Sequence, residues 1–326
     1  MRAKPFLKWA GGKTQLIEQI KEQLPKNIET NGFTFIEPFV GSGAVLFWML
    51  EQFPNMENAI INDINQDLTN SYLTIKHDVQ DLIYILKRWE IEYHNIAEDQ
   101  EAKKEYYYEK RSLFNTRNSE QTTQSALFIF LNRTCFNGLY RVNRNNGFNV
   151  PIGSYKTPQI CNEENLLAVL IVLQKVEILN GDFAETLNYT DNNTFFYFDP
   201  PYKPLNETSS FNSYAKDEFN DAEQIRLKEF CEILDEQNHQ LILSNSDVKG
   251  KDINNNFFDD LYASFNIVRV NARRSINANP GKRGQLNDCY LGITLSGRAI
   301  RTHSFSFEKK EKGVQTIATI PYANAA

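Results

Sequence analysis

The strongest constraint on this chain is a series of short, largely apolar runs separated by helix-like segments. Thr34–Phe39 ends at a Gly-rich turn, Asn58–Asp63 ends in an acid, and Val176–Asp182, Thr194–Asp199 and His239–Ser244 follow. None alternates strictly between apolar and polar residues, the pattern of strands covered on both faces, as in a parallel sheet. Ser42–Phe53 and the stretch around 218–237 read as helices between them. Phe265–Val270 and Cys289–Ile293 are expected to close the sheet as a pair. Strands alternating with helices predict an α/β fold with a doubly wound, mostly parallel sheet.

The stretch from Asp63 to Val176 is far longer than one crossover helix. Residues 66–158 are therefore expected to be an inserted, largely helical domain, with 1–65 and 159–297 forming the sheet domain. The insert reads as helical over Leu68–Trp89, Glu98–Phe114 and Thr122–Leu131, then breaks into Asn143-Arg144-Asn145-Asn146-Gly147, a pattern suited to an exposed hairpin. The tail, 298–326, has weak periodicity and is assigned no role.

With 41% hydrophobic and 23% charged residues, 326 residues suffice for a sizeable core. No apolar stretch approaches the roughly 20 residues of a membrane span, and the start lacks the apolar region of a secretory signal. Cys135, Cys161, Cys231 and Cys289 lie far apart, and His77, His94, His239 and His303 are scattered, so no metal site and no redox pair is suggested. A cytoplasmic protein with reduced thiols is the simple reading. The net charge of −6 argues on its face against nucleic acid. Three acid-free segments qualify that average: 1–17 with Arg2, Lys4, Lys8 and Lys13; 132–156 with Arg133, Arg141, Arg144 and Lys156; and 261–284 with Arg269, Arg273, Arg274, Lys282 and Arg283. They either converge on one cationic face or are three solvated loops; local potential decides partners more than net charge does.

The sharpest chemical signal is Asp199-Pro200-Pro201-Tyr202, directly after an apolar strand. Strand C-termini of open α/β sheets are where ligands bind. Two prolines remove two N–H donors and fix φ twice, leaving a stiff turn with carbonyls, a carboxylate and an aromatic ring. Such a notch suits a ligand that presents an NH₂ group and a flat face, as adenine does. Acceptance of its N–H groups by Asp199 and the Pro200 carbonyl would make the amine lone pair more available, while Tyr202 stacks on the ring. The plain alternative is a Pro-rich turn.

Phe39-Val40-Gly41-Ser42-Gly43 supplies a Gly-x-Gly turn after the first strand. The dinucleotide pattern needs a further glycine where Leu46 stands, and Glu37 would repel a pyrophosphate. An anionic site suits a cationic ligand, such as a sulfonium carrying an ammonium group. Asp63 follows Gly41 by 22 residues, the interval at which an acid reaches ribose hydroxyls. Gly12-Lys13-Thr14 resembles the end of a phosphate-binding P-loop, but Leu7 occupies a required glycine position. In the insert, Arg133 to Asn143 and Phe148 to Pro151 combine Arg and Asn, which read base edges in the major groove, with apolar side chains able to wedge between base pairs. An ordinary surface hairpin would look similar.

Together these residues resemble the Dam-type DNA adenine-N6 methyltransferases, alpha-group amino-methyltransferases, over about residues 4–295. The motifs, in the family's order, are Leu7-Lys8-Trp9-Ala10-Gly11-Gly12-Lys13, Glu37-Pro38-Phe39-Val40-Gly41-Ser42-Gly43, the hairpin Phe136-Asn137-Gly138-Leu139-Tyr140-Arg141-Val142-Asn143 with Phe148-Asn149-Val150-Pro151-Ile152-Gly153, and Asp199-Pro200-Pro201-Tyr202. The resemblance implies S-adenosyl-L-methionine as cofactor, contacted by Trp9, Lys13, Glu37, Phe39, Gly41, Gly43, Asp63, Asp182, Phe183 and Asp199. It implies double-stranded DNA as substrate. Lys8, Asn137, Arg141 and Pro151 would contact target bases, with Phe136 and Leu139 near the gap the flipped base leaves. Asn143, Tyr155, Arg273 and Arg274 complete the expected DNA contacts. The context of Arg141 and Pro151 is similar to the branch acting on GATC, but relatives with other adenine targets share much of the hairpin. A cognate restriction endonuclease is left open, and a bacterial or phage protein working at the nucleoid is implied. The implied chemistry is direct methyl transfer without a metal or a covalent enzyme intermediate. A cytosine-N4 methyltransferase and a non-catalytic DNA-binding module are the alternatives.

Overall fold

The computed structural model describes residues 2–9, 13, 16–96, 99–202, 219–245, 248–250, 252–269 and 293–294. Arg273 and Arg274, the Ala10–Gly12 part of the N-terminal motif and the tail from 298 onward lie outside the described residues. In chain order the elements are α1 (Ile17–Glu22), β1 (Phe33–Glu37), α2 (Ala44–Gln52), β2 (Met56–Asp63), α3 (Gln66–His77), α4 (Val79–Asn95), α5 (Gln100–Thr116), α6 (Gln121–Thr134), α7 (Glu163–Leu173), β3 (Val176–Asn180), β4 (Thr194–Phe198), α8 (Asp221–Glu236), β5 (Gln240–Leu243), α9 (Phe257–Leu261), β6 (Val268–Arg269) and β7 (Ile293–Thr294). Among the described residues no helix is long and apolar enough to cross a membrane.

Five strands form one parallel sheet in the order β3-β2-β1-β4-β5. The runs at β1 and β4 are buried on both faces, as are most of β5 and the second half of β2, while β3 at the sheet edge buries Val176 alone. Phe35, Ala59, Ile61, Phe195, Tyr197 and Ile242 face one apolar cluster, which also takes in side chains from α2 to α7. Their neighbours Ile36, Ile60, Phe196, Phe198, Leu241 and Leu243 face a second cluster, closed by Leu227, Phe230 and Leu234 of α8 and Phe258 of α9. The period-two side-chain direction thus divides each run between two helical layers. This is a doubly wound, Rossmann-like architecture.

The chain reverses its direction of travel across the sheet between β1 and β4, which pair through Ile36 and Phe196. An open α/β sheet has its ligand crevice at such a switch point, outside the carboxyl ends of the strands. Glu37, Asp63, Asp182 and Asp199 all lie at or just beyond those ends.

Helices α3 to α6 and the hairpin follow β2, and their buried side chains join the first cluster rather than a separate one. The expected helix over Leu68–Trp89 is broken at Asp78, whose φ of −130° and ψ of 33° end α3 and open α4. The signal was local: Lys76 and His77 form a basic last turn ahead of an N-terminal type of residue. The pair expected to close the sheet does not join it among the described residues: Val268 opposite Thr294 and Arg269 opposite Ile293 form a separate two-stranded antiparallel sheet, and most of the second run, Cys289–Ile293, lies outside the described residues.

Candidate active site

Glu37 is the last residue of β1 and is only 2% exposed, with one carboxylate oxygen, Oε2, lacking a hydrogen-bond partner among the described residues. Burial, and then the charge on Asp199, push its carboxyl well above the ordinary glutamate range, while the Leu46 N–H and Lys13 pull it back. A buried acceptor with nothing to accept is costly, so an orphan of this kind at a switch point suits a ligand with N–H groups or positive charge.

The turn after β1 is built for close approach. Gly41 and Gly43 both take positive φ, 50° and 74°. A Cβ on Gly41 would come within 3.0 Å of the Trp9 ring, and one on Gly43 within 2.6 Å of the Tyr72 hydroxyl. Tyr72 donates to the Gly41 carbonyl at 3.0 Å, so α3 holds the turn from below. Buried Asn62 ties the crevice together, donating to the carbonyls of Pro38 and Gly181 at 3.1 and 3.0 Å.

Asp63 ends β2 and accepts from the Gly41 N–H at 3.1 Å and the Asn65 N–H at 2.9 Å. Burial outweighs those two bonds and raises its carboxyl to about 6. Two acceptor positions remain on such a carboxylate for hydroxyls.

At the end of β3, Asp182 caps the short helical turn Phe183–Tyr189 through the Ala184 N–H. It also takes both terminal nitrogens of Arg226 on α8, at 2.8 and 2.6 Å. That fork holds the Asp182 carboxyl below the usual range. The guanidinium lies 4.1 Å from the Phe183 ring centroid, and Phe183 packs on Phe39 at 5.4 Å. Phe39 and Phe183 therefore form one apolar wall, bounded by a fixed carboxylate.

Asp199 follows β4 with its side chain 21% exposed. Lys13 Nζ lies 2.5 Å from Asp199 Oδ1 and also donates to the Tyr202 hydroxyl, 4.7 Å from that ring's centroid. Burial still raises the Asp199 carboxyl above its ordinary value, with Lys13 opposing it. Lys13 is thus the cation beside a group of acids that includes Glu37, Asp63 and Asp199.

The hairpin residues lie next to the N-terminal motif. Lys8 exchanges two 2.8 Å bonds with Asn132, and its Nζ is 4.1 Å from the Tyr155 ring centroid. Trp9 stacks on Tyr140 at 5.6 Å, linking the N-terminal motif to the hairpin. Val142 bridges Phe148 antiparallel, and Phe136 donates its N–H to the Pro151 carbonyl at 2.9 Å. Phe136 is 43% exposed, Asn137 takes a left-handed φ of 55°, and Leu139 is half-buried. Arg141 donates Nε to Asn149 at 2.7 Å, and its two Nη groups make no hydrogen bond among the described residues. The Asn143 side chain holds the hairpin tip, accepting from the N–H groups of Asn145 and Gly147 at 3.0 and 2.9 Å.

Not every basic residue of the acid-free segments faces outward. Arg133 donates to the Phe6 carbonyl at 2.6 Å, and Arg269 pairs with Asp259. Tyr72, Arg226, Gln224 and Asn245 had no place in the sequence reading. Gln224 alone left a signal: it stands with Leu227, Cys231 and Leu234 on the buried stripe of α8.

The fold and this crevice belong to a methyltransferase. The family model of D12 class N6 adenine-specific DNA methyltransferases matches residues 9–276, and the chain belongs to that family. It is 50% identical over 286 residues to the Type II methyltransferase M.MjaIII of Methanocaldococcus jannaschii, covering 87% of this chain and 96% of that protein. It is 36% identical over 289 residues to the DNA adenine methylase of Haemophilus influenzae, covering 88% and 93%. It is 32% identical over 283 residues to that of Escherichia coli, covering 87% and 92%. The chain is an adenine-specific DNA methyltransferase, which decides against a cytosine-N4 enzyme and a non-catalytic module. A methyl-transferring family implies S-adenosylmethionine as donor. The orphaned Glu37 oxygen, the glycine cradle and the acid-rich donor set fit a cationic, ribose-bearing ligand.

Cofactor affinity is expected to fall several-fold as pH drops through about 6, where Asp63 gains a proton and loses acceptor capacity for hydroxyls. Calorimetric titration between about pH 5 and 8 checks this; affinity that rises toward acid counts against Asp63 as a ligand.

Proposed function

We propose that the crevice at the ends of β1 and β4 holds S-adenosylmethionine beside an adenine flipped out of double-stranded DNA. The observation that carries this is the adjacency of an orphaned buried carboxylate, Glu37, and a partly exposed one, Asp199, on neighbouring strands. Glu37 would meet the cofactor's positive end. Trp9, Lys13, Gly41 and Gly43 would surround it, Asp63 would accept from its ribose, and Phe39, Asp182 and Phe183 would hold its base. When bound, the cofactor supplies an electrophilic methyl group.

The chain's own residues would do the rest. Asp199 and the Pro200 carbonyl accept the two N–H groups of the adenine amine, drawing the nitrogen toward a tetrahedral shape. Pro201 keeps the turn stiff, and Tyr202 stacks on the extruded base, a contact worth about 1–3 kcal/mol. Extrusion costs a few kcal/mol of stacking and pairing. Replacing one N–H by N–CH₃ releases one proton, and Asp199 is positioned to receive it late, so it need not be a strong base. Rate enhancement would come mainly from alignment.

The segment 66–158 would grip the duplex, with 1–65 and 159–297 carrying the chemistry. Lys8, Asn137, Arg141 and Pro151 would read bases, and Phe136 and Leu139 would fill the gap. The unbonded Nη groups of Arg141 favour it as a guanine reader in a GATC-like site. Asn143 would shape the hairpin rather than read bases.

Sequencing of methylated bases in DNA from cells expressing this chain tests base, atom and target together. N6-methyladenine within GATC is the expected product. Arg141→Ala is expected to lower methylation at the target by about 10–100-fold, the effect of losing one bidentate base contact. Cytosine methylation, or a target indifferent to Arg141, would sink this assignment.

A further inference from the structure

The geometry points to Gln224 as the positioning residue of the catalytic turn, acting by hydrogen bonding to the Pro201 carbonyl. Two successive prolines leave the turn without backbone donors at 200 and 201. The β-ladder stops short of it: the Ser244 N–H donates to the Phe198 carbonyl at 2.8 Å. A turn lacking those donors is pinned through its carbonyls and through the Asp199 and Tyr202 side chains, and Lys13 already holds the latter two. Gln224 Nε2 donates to the Pro201 carbonyl at 3.3 Å, and Gln224 is fully buried.

The sense of this bond is forced. A carbonyl only accepts, so the NH₂ of Gln224 must face Pro201 and its Oε1 must face the other way. There it accepts from Asn245 Nδ2 at 3.0 Å, and Asn245 is itself buried. Asn245 follows β5, while Asn220 caps α8 one turn ahead of Gln224 through the N–H groups of Ala222 and Glu223. The donor aimed at Pro201 is therefore held by a helix start and a strand end. With both proline φ angles fixed by their rings, orienting the Pro201 peptide restricts the one before it. The Pro200 carbonyl, the acceptor proposed for the adenine amine, is then presented in one direction.

This inference rests on the reading of Asp199-Pro200-Pro201-Tyr202 as the amine site, and the test separates the two. Wild-type protein is first assayed for N6-methyladenine on duplex DNA; if none forms, that reading fails and takes the inference with it. If it forms, Gln224→Glu and Gln224→Met are compared with wild type in single-turnover methyl transfer. Met keeps length and removes both bonds, while Glu keeps the acceptor toward Asn245 and donates to the Pro201 carbonyl only when protonated, so its rate should fall as pH rises. The expected result is a rate lower by about 10–100-fold, typical of misaligned reacting groups. Dissociation constants for S-adenosylmethionine and for duplex DNA stay within about twofold, a split that mere loosening of the fold would not produce. An unchanged rate in folded Gln224→Met, or a Gln224→Glu rate that stays at the wild-type level as pH rises, overturns the inference. So does a loss explained by weaker binding, or the failure of both variants to fold, which would make Gln224 a residue of stability alone.

Discussion

Replacing Asp199 by Ala is expected to abolish methyl transfer, by at least about a thousandfold, while duplex binding survives within about threefold. The carboxylate is the one charged acceptor on the Asp199–Tyr202 turn, and it is partly exposed. Removing it deprives the amine of the partner that would reshape it. The hairpin and Lys8, which are expected to hold DNA, make their bonds elsewhere. A second consequence follows from Lys13, whose side chain is 4% exposed and pairs with Asp199. Leaving that ammonium without its carboxylate costs stability, since a buried ion deprived of its partner is strongly destabilising. Asp199→Asn keeps the volume and an acceptor, so it should fold better and still lose methylation. Mass analysis of nucleosides together with anisotropy on a labelled duplex reads both quantities. A fully active Asp199→Ala protein would refute the mechanism.

Glu37→Gln is expected to move stability and cofactor binding in opposite directions. The amide matches the carboxylate in shape but carries no charge to desolvate, and it removes the repulsion from Asp199 and Asp63 that helps raise the Glu37 carboxyl. The variant should therefore be more stable near neutral pH, because the wild-type carboxyl must there either hold a proton or carry a desolvated charge. The pH dependence has a definite sign. The folded-state value lies above the ordinary 4.5, so the folded protein binds more protons than the unfolded chain and wild-type stability falls as pH rises from there. Gln lacks that slope, so the difference in melting temperature should widen from mildly acidic to neutral pH. Affinity for S-adenosylmethionine should drop by about 10–100-fold, because a charge-assisted contact is lost. Equal affinity in the two proteins would remove Glu37 from the cofactor site.

The two substitutions differ because the two carboxylates are satisfied differently. Asp199 has Lys13 and a partly open surface, while Glu37 has one oxygen with no partner among the described residues. One is poised with its counterion already present, and the other waits for a ligand to supply the charge.

Much of this was legible in the linear chain. Apolar runs without alternation required strands covered on both faces, and Leu46 in place of a third glycine, with Glu37 nearby, turned the Gly-x-Gly turn away from pyrophosphate. Asp199-Pro200-Pro201-Tyr202 announced an acceptor-rich notch because proline chemistry is local. Charge was legible only as a tendency: the sequence counts Arg133 and Arg269 as basic residues, but only the fold spends them on the Phe6 carbonyl and Asp259.

What the tertiary structure alone decided is who meets whom. Strand order puts β1 beside β4, and so brings Glu37 and Asp199 to one crevice although 161 residues lie between them in the chain. Folding sets Lys13 on Asp199, Arg226 on Asp182 and Gln224 under Pro201. Backbone preferences and apolar periodicity act over a few residues and are written in the sequence. Pairings across the sheet depend on strand order and on the rotamers left open after packing, and no local pattern encodes either.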